Sequence, residues 1–426
     1  MTIAVFVGAL AAAMALGIPI AFALLATGVA LMWHLDMFDA QILAQNLVNG
    51  ADSFPLLAVP FFMLAGEIMN VGGLSQRIVN VALALVGHIR GGLGYVTILS
   101  ACLLSALSGS AVADAAALTA LLLPMMVRNG HDKARAGGLI AASGVIGPVI
   151  PPSIGFVIFG VAANVSISKL FLAGIVPGLW IGAALWATWW WLGRGERIEV
   201  PPRKSRAEIL RALRESAWAL MLPVIILVGL RFGVFTPTEA AVVAAVYALF
   251  VAVAVYRELK LSQLTSIFVT SAKTTSVIML LVASAMVSAW LITVANLPAA
   301  VVGLLEPFMG NPTLLMAAIM VLVMIVGTAM DMTPTILILT PVLMPVVKAA
   351  GIDPVYFGVL FIINNSIGLV TPPVGTVLNV VAGVGRMKID DVTRGVLPFM
   401  VAEFAVLFLM VLFPSLVTVP AKWFAG

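Results

Sequence analysis

The sequence predicts an all-α integral membrane protein, and its composition and long apolar segments carry that prediction. Of the 426 residues, 62% are hydrophobic and 9% are charged, whereas a soluble domain has about 25% charged residues. So few charges cannot cover a water-exposed surface, and lipid must therefore be the main solvent. Apolar stretches of about 20 residues, the length that crosses a bilayer, recur at 2–33, 170–192, 237–256, 274–296 and 393–419.

The residue content also excludes several classes of function. The single Cys102 cannot support a disulfide framework or a cysteine metal site, and three dispersed histidines give no support to a metalloenzyme. Basic residues gather between spans at 194–214, which is typical of a cytoplasmic loop and not of nucleic-acid binding. The first 33 residues lack the basic front of a secretory signal peptide, so we expect them to be mature membrane structure.

The distribution of Lys and Arg predicts the topology, because these residues favour the cytoplasmic side of membrane spans. Segment 34–53 contains aspartates but no Lys or Arg and is placed outside. The amphipathic segment 74–91 carries Arg77 and Arg90 and is placed inside. This layout puts 18 of the 22 Lys and Arg in the cytoplasm and both termini outside. About ten full spans are expected, at 1–16, 18–33, 54–70, 135–165, 170–193, 218–231, 237–256, 274–296, 354–385 and 393–419.

Two further regions are long enough to enter the membrane and return on the same side. Region 92–128 lies between Arg90 and a basic cluster that starts at Arg128, so both of its ends are cytoplasmic. We therefore expect a re-entrant helical hairpin that opens to the cytoplasm. Region 312–349 repeats the pattern, but this second hairpin is entered from the outside.

A shift of 221 residues relates the two halves of the chain and needs no gap between Leu122 and Pro177. Proline, glycine and aspartate make up most of the matches, whereas unrelated apolar segments would match mainly at Leu, Val and Ala. The matched pairs include Pro124 with Pro345, Asp132 with Asp353, Gly147 with Gly368, and Pro151–Pro152 with Pro372–Pro373. The charges invert the second copy, and inverted repeats around a midplane site are a recurring plan of secondary transporters. A duplicated scaffold without a site is the alternative.

The repeat divides the chain into five parts. Scaffold helices with an amphipathic arm occupy 1–90 in the first repeat and 218–311 in the second. The transport-domain halves, 91–193 and 312–426, each hold a hairpin, a broken helix and the span that follows it. The basic cytoplasmic linker 194–217 joins the two repeats.

Two places in each half cannot form continuous helix. The hairpin tips lie at 105–114 and 326–334, and the broken spans carry double prolines at 151–152 and 372–373. A double proline removes two backbone donors and clashes with the preceding turn. Non-helical backbone at membrane depth is tolerated where it lines a cavity. Its carbonyl groups suit a hard cation such as Na⁺, and the positive ends of half-helices suit a carboxylate.

The tip and the break of each half together predict one sodium site, and the same region predicts the substrate contacts. Sodium site 1 is expected to comprise Ser105, Ser108, Ser110, Gly147 and Pro151. Sodium site 2 is expected to comprise Gly327, Thr328, Met330, Asp331 and Thr371. The candidate substrate-binding residues are Ser110, Asp114, Ser153, Asn364, Asn365 and Thr371.

Each of these candidates has a purely structural alternative. The hydroxyl side chains could bond back to their own helix or cap one. Asp114 and Asp331 are functional candidates because they are intramembrane carboxylates, but each could instead cap the second arm of its hairpin. The asparagines could bind a polar substrate or simply bridge helices. Glu239 fits a helix-capping role, while Glu67 and Lys273 lie in or beside apolar spans without an assigned partner.

Seven motifs together identify a family that the chain resembles. They are Gly17–Ala21, Phe61–Met69, Ser108–Asp114, Pro151–Ser153, Phe235–Ala241, Met330–Pro334 and Thr371–Pro373. On these motifs, which run from end to end, the chain resembles the large membrane subunit of the tripartite ATP-independent periplasmic (TRAP) transporters, the DctM-like family.

The resemblance implies a fold of the elevator type, in which a transport domain bearing both hairpins slides against a scaffold. It implies a sodium-coupled importer of the bacterial inner membrane, with Na⁺ as coupling ion and no organic cofactor. The implied substrates are organic acids such as four-carbon dicarboxylates, sialic acid, keto acids and sugar acids, and the sugar-acid carriers are the most similar. The implied partners are a DctQ-like small membrane subunit, as a separate chain, and a DctP-like periplasmic binding protein. No P-loop motif is present, which favours an ion gradient over ATP as the energy source.

Two other hypotheses stay open at this point. The first is a carrier of related architecture that works without a binding protein. The second is an intramembrane aspartyl protease that uses Asp114 and Asp331, although hairpin tips of an inverted repeat should hold these two side chains in separate sites.

Overall fold

The structure is a computed structural model that describes residues 2–195, 202–296, 303 and 305–425. Within those residues the chain forms helices and no strand, which confirms the all-α prediction. Membrane depth explains this choice, because a helix satisfies its own backbone hydrogen bonds where water is absent.

Ten helices make up the first repeat. They are α1 (Thr2–Ala15), α2 (Ile20–His34), α3 (Ala40–Ala51), α4 (Ala58–Val71), α5 (Leu74–Val86), α6 (Gly92–Ser108), α7 (Ala111–Arg128), α8 (Lys133–Gly144), α9 (Ile154–Ala163) and α10 (Ile167–Leu192). Helices α6 and α7 form the first hairpin, and α8 and α9 are the two halves of the first broken span.

The second repeat follows the same plan with longer scaffold helices. Its helices are α11 (Arg206–Arg231), α12 (Pro237–Phe250, continued by a π turn at Val251–Val255), α13 (Leu261–Val294), α14 (Pro312–Ala329), α15 (Met332–Ala349), α16 (Pro354–Gly368), α17 (Thr376–Gly385), α18 (Ile389–Leu412) and α19 (Ser415–Ala425). Helices α14 and α15 form the second hairpin, and α16 and α17 are the halves of the second broken span.

Helix length supports the expected number of spans. Nine helical segments of the described chain are long and apolar enough to cross a membrane. Three of them, α7, α14 and α15, are hairpin arms, and the other six are full spans. The shorter helices α1 and α2 and the two broken helices complete the set of about ten that the charges predict.

Three helices do not begin or end where the expected spans do. Helix α11 begins at Arg206 and not at 218, because Ser205 and Glu208 form a capping box there, so part of the expected linker 194–217 is helical. Helix α13 begins at Leu261 and not at 274; its 34 residues span about 51 Å, well beyond the hydrocarbon core of about 30 Å. Helix α18 ends at Leu412, because Pro414 disfavours helical backbone at Phe413.

Helix packing repeats the pseudo-symmetry of the sequence. The second arm of hairpin 1, α7, packs against α17, and the second arm of hairpin 2, α15, packs against α9. The 221-residue shift carries α7 onto α15 and α9 onto α17, so these contacts are two copies of one interaction. Each hairpin therefore binds the broken helix of the opposite repeat, and the two repeats form one hairpin layer.

A second set of helices faces this hairpin layer. Helices α2, α3 and α4 pack against α13, and α12 packs against α4. We call these five helices the scaffold layer. Helix α4 contacts α6 and α9, whereas α13 contacts α15. The wall that faces the hairpins is thus built from α4 and α13.

Candidate transport site at the hairpin tips and helix breaks

The tip of hairpin 1 touches the break between α8 and α9. The break in the hairpin is limited to Gly109 and Ser110, and Gly109 has a φ of +61°. A Cβ atom at Gly109 would lie 2.3 Å from the carbonyl oxygen of Pro152. Only glycine fits this position, because it tolerates positive φ and lacks the atom that would collide.

Asp114 lies where the tip and the break meet. Its side chain is buried, and the Ser108 hydroxyl donates a hydrogen bond of 2.5 Å to Oδ1. The Ser108 oxygen in turn accepts the Ser110 N–H at 3.2 Å. The other carboxyl oxygen, Oδ2, has no hydrogen-bond partner among the described residues. It lies 2.9 Å from the position of a Cβ on Gly147, so the carboxyl group faces the broken helix.

The capping alternative for Asp114 is wrong. Helix α7 is capped by Ser110, whose hydroxyl oxygen accepts the Ala113 N–H at 3.4 Å. The capping alternative therefore holds for Ser110. Asp114 lies one turn further on, where a side chain turned inward reaches Ser108.

The remaining residues of predicted sodium site 1 are arranged less favourably around this carboxyl. The Ser105 hydroxyl donates to the carbonyl of Ala101 on its own helix. Ser153, which was predicted as a substrate contact and not as part of this sodium site, caps α9 by accepting the Phe156 N–H at 3.2 Å, and its hydroxyl donates to the Pro148 carbonyl. Ser108, Ser110 and Gly147 surround Asp114, whereas the Ser105 and Ser153 side chains already have helix partners. Pro151 lies in the break and is buried.

Hairpin 2 makes the same kind of contact with its own break. Asp331 occupies the N-cap position of α15 but makes no capping bond with its side chain, so the capping alternative fails for this residue too. Instead, the Thr376 hydroxyl at the start of α17 donates to Asp331 Oδ1 at 3.2 Å. Gly327 and Gly368 lie against each other, since a Cβ on Gly368 would be 2.9 Å from the Gly327 carbonyl oxygen.

Two hydroxyls of predicted sodium site 2 are bonded within their own segments. The Thr371 hydroxyl donates to the Ile367 carbonyl at 2.8 Å and lies 3.5 Å from the Met400 sulfur. The Thr328 hydroxyl donates to the Ile325 carbonyl at 2.7 Å. The back-bonding alternative therefore describes both side chains in this structure. Met330 lies beside Asp331 at the tip, and its N–H is also used within the hairpin.

The two candidate asparagines are buried inside the hairpin layer. The Asn364 amide donates to the Met320 carbonyl on α14 at 2.6 Å, and the Asn365 amide donates to the Phe361 carbonyl at 2.7 Å. The side-chain oxygens of both residues lack partners among the described residues. Asn364 thus bridges two helices, and a substrate contact for either residue stays a prediction.

A cavity of about 600 Å³ separates the hairpin layer from the scaffold wall. The hairpin side contributes Ser110 and Asp331, and the scaffold side contributes Glu67 from α4 and Lys273 from α13. Its volume lies within the range of about 300–1,000 Å³ that holds small molecules. Sequence reasoning assigned no partner to Glu67 or Lys273, and their common position follows only from the packing of α4 on α13. The signal available in the sequence was that Glu67 and Lys273 are charged residues in or beside apolar spans.

One capping prediction away from the site is confirmed. Thr236 and Glu239 form a capping box at the start of α12, in which Glu239 accepts the Thr236 N–H at 2.8 Å. Glu239 is therefore explained by helix structure.

Two re-entrant hairpins, two broken helices and a cavity between the layers define a secondary membrane transporter. The family model described as "Tripartite ATP-independent periplasmic transporter, DctM component" matches residues 7–416. The chain belongs to this family of transporter permeases, and it is not an enzyme. The aspartyl protease hypothesis is therefore wrong, in agreement with the separate contacts of Asp114 and Asp331.

Similar proteins agree with this assignment. The chain is 57% identical to the 2,3-diketo-L-gulonate TRAP transporter large permease protein YiaN of Escherichia coli, over 99% of this chain and 100% of that protein. It is 41% identical to the sialic acid TRAP transporter large permease protein SiaM of Vibrio cholerae, over 96% of each chain. The crystal structure of the Alcanivorax borkumensis YdaH transporter has a similar fold, with a TM-score of 0.62 at 16% identity over 92% of this chain and 91% of that one.

Proposed function

We propose that this permease imports an organic acid anion across the bacterial inner membrane, coupled to Na⁺, by an elevator-type movement of the hairpin layer. A periplasmic binding protein delivers the anion, and a small membrane subunit completes the complex. Membership of the TRAP family supports both partners. The proposed orientation in the membrane, taken from the distribution of Lys and Arg, places both chain termini on the periplasmic side.

The observation that carries the Na⁺ proposal is the buried carboxyl oxygen of Asp114. An ionised carboxylate in a medium of low polarity is costly unless a cation or hydrogen bonds compensate it. Oδ2 of Asp114 lacks a partner among the described residues and faces the break at Gly147. A Na⁺ ion at this junction gains a charged oxygen ligand, and its binding draws the tip and the broken helix together.

Asp331 plays the corresponding part in the second repeat. The 221-residue shift aligns Asp331 with Ser110, so the two sites are related in position but differ in chemistry. Asp331 lines the cavity and joins hairpin 2 to Thr376 of the broken helix. A Na⁺ ion here stabilises the tip while the substrate lies beside it.

The cavity between the layers supports the substrate class. It is large enough for a six-carbon acid, and its hairpin side offers Ser110 and Thr333 as hydrogen-bonding groups. The relative with 57% identity is named for 2,3-diketo-L-gulonate, and we propose a sugar acid of this kind as the substrate. The two layers support the elevator step, since movement of the hairpin layer along α4 and α13 would expose the cavity to one side at a time.

Uptake into proteoliposomes tests this function. The permease with its small subunit is reconstituted, and the cognate binding protein, loaded with 2,3-diketo-L-gulonate, is added outside under an inward Na⁺ gradient. We expect uptake that requires both Na⁺ and the binding protein. Equal uptake without Na⁺ contradicts the coupling, and equal uptake without the binding protein favours the stand-alone carrier.

The Asp114→Asn variant tests the ion site in the same assay. The variant keeps the shape of the side chain but loses the charge, so we expect the Na⁺ concentration for half-maximal uptake to rise about tenfold or more. An unchanged Na⁺ dependence contradicts the assignment of Asp114. The matched control is Asp36→Asn, which removes an exposed carboxylate after α2.

A further inference from the structure

The scaffold wall of the cavity carries two charged side chains that the proposed ion sites do not use. Among the described residues that line the cavity, Lys273 is the cation and Glu67 and Asp331 are the acids. Lys273 is exposed and Glu67 is half-buried. Neither forms an ion pair with a described residue. Among the described residues, the ion pair with a nitrogen–oxygen distance below 4 Å joins Arg77 and Glu258. The ammonium group of Lys273 is therefore available to a ligand in the cavity.

We propose that Lys273 is a carboxylate subsite on the scaffold wall, and that Glu67, which lines the same cavity, takes over the ammonium group once the hairpin layer has carried the substrate away. This inference rests on the proposed function, because it assigns a contact to the organic acid that the cavity receives. Its ligand class is a carboxylate attached to a polar, hydroxyl-bearing chain.

The charge of the cavity explains why such a cation is needed. With Glu67 and Asp331 ionised, the lining repels an anion, and Na⁺ at the hairpin tips offsets only the charge on the hairpin side. Lys273 supplies a positive charge on the opposite wall. A sugar acid then lies with its carboxylate on Lys273 and its hydroxyl groups toward Ser110 and Thr333, which line the hairpin side.

The position of Lys273 on α13 makes the contact depend on the transport state. Helix α13 belongs to the scaffold layer, whereas Ser110 and Asp331 belong to the hairpins. When the hairpin layer moves, the substrate loses Lys273 while it keeps its contacts with the tips. Glu67 on the neighbouring helix α4 then pairs with the released ammonium group and competes with rebinding of the carboxylate. The pair thus favours release of the anion at this position.

Direct binding to the purified permease and small-subunit complex tests the subsite. Thermal stabilisation is titrated with 2,3-diketo-L-gulonate at a fixed, saturating Na⁺ concentration, and Na⁺ is titrated separately. For Lys273→Met we expect the substrate midpoint to rise about tenfold to a hundredfold, as for loss of a charge-assisted hydrogen bond, with an unchanged Na⁺ midpoint. Lys273→Arg is expected to stay within about threefold of the parent.

Two further variants address the role of Glu67. Glu67→Gln removes the competing carboxylate, so we expect its substrate midpoint to fall about threefold or more. The charge exchange Glu67→Lys with Lys273→Glu is expected to bind more tightly than Lys273→Glu alone, because it restores a cation to the wall. The matched control is Lys169→Met, which removes an exposed lysine at the start of α10, outside this cavity.

The outcomes separate this inference from the proposed function. A parent complex that responds to no organic acid, with or without Na⁺, contradicts the proposed function. A parent complex that responds normally, with Lys273→Met unchanged or no weaker than Lys169→Met, overturns the subsite alone. A Glu67→Gln midpoint that is unchanged or raised overturns the exchange between Glu67 and the substrate.

Discussion

Gly147→Ala is the substitution that most directly tests the contact between hairpin 1 and the broken helix. A Cβ at this position would lie 2.9 Å from Asp114 Oδ2, 3.0 Å from the Ala111 nitrogen and 3.1 Å from the Gly144 carbonyl oxygen. Ordinary contacts lie near 3.5 Å, so the hairpin tip must move by about 0.5 Å. Two of the three atoms are backbone, and a flexible side chain cannot absorb the shift.

The magnitude follows from known costs of overpacking. Inserting one methyl group into a packed interior costs about 1–3 kcal/mol, which corresponds to a change of about 5- to 150-fold in an equilibrium constant. Because the new methyl group separates Asp114 from the broken helix, most of this cost should fall on the Na⁺-bound state. We therefore expect the Na⁺ midpoint for thermal stabilisation to rise at least fivefold.

Gly383→Ala is the matched control for this experiment. Gly383 lies in α17, and a Cβ there meets no atom within 4 Å. Alanine in an exposed helix is more favourable than glycine by about 0.5–1 kcal/mol, so this variant should gain stability and keep its Na⁺ midpoint. A Gly147→Ala variant that titrates like Gly383→Ala refutes the proposed junction between tip and break.

Three further predictions concern single side chains. Ser110→Ala removes the cap of α7 and should cost about 1 kcal/mol of stability. It should also raise the Na⁺ midpoint of uptake more than Thr371→Ala does, because the Thr371 hydroxyl is already bonded to the Ile367 carbonyl. If neither variant changes the Na⁺ midpoint, the site assignment is contradicted. Glu403→Leu should raise the melting temperature, since Glu403 is fully buried and neither carboxyl oxygen has a partner among the described residues; a lower melting temperature opposes this reasoning. Thr236→Val should lower helix stability by about 1 kcal/mol through loss of the capping box, visible as a lower melting temperature with unchanged Na⁺ and substrate midpoints.

The two proposed ion-site regions differ in ways that bear on the proposed coupling. In the first repeat, Asp114 is buried and bonded to Ser108 within its own hairpin. In the second repeat, Asp331 lines the cavity and bonds across to Thr376 of the broken helix. An ion at the proposed site on Asp331 would therefore lie beside the cavity that we propose for the substrate. An ion at the proposed site on Asp114 would act on the substrate only through the shape of the tip.

The sequence by itself determined the membrane class, the repeat, and where the helices break. These features depend on local chemistry, since two adjacent prolines interrupt a helix in any surroundings and the 221-residue shift is visible in the positions of Pro, Gly and Asp. The positive charges located the first hairpin, and the repeat located the second. The sequence predicted the ends of helices less accurately, because a polar stretch such as 261–273 can extend a helix beyond the apolar span when packing supports it.

Only the tertiary structure decided which side chains meet. Ser108 bonds to Asp114 because the chain reverses at Gly109, and Thr371 bonds back to its own segment although it lies at a break. Glu67 and Lys273 share a cavity because α4 packs against α13. Such contacts depend on the packing of helices that are distant in the chain, and residue type and spacing do not encode that geometry directly. The sequence thus determined where helices break, and packing decided which charges those breaks face.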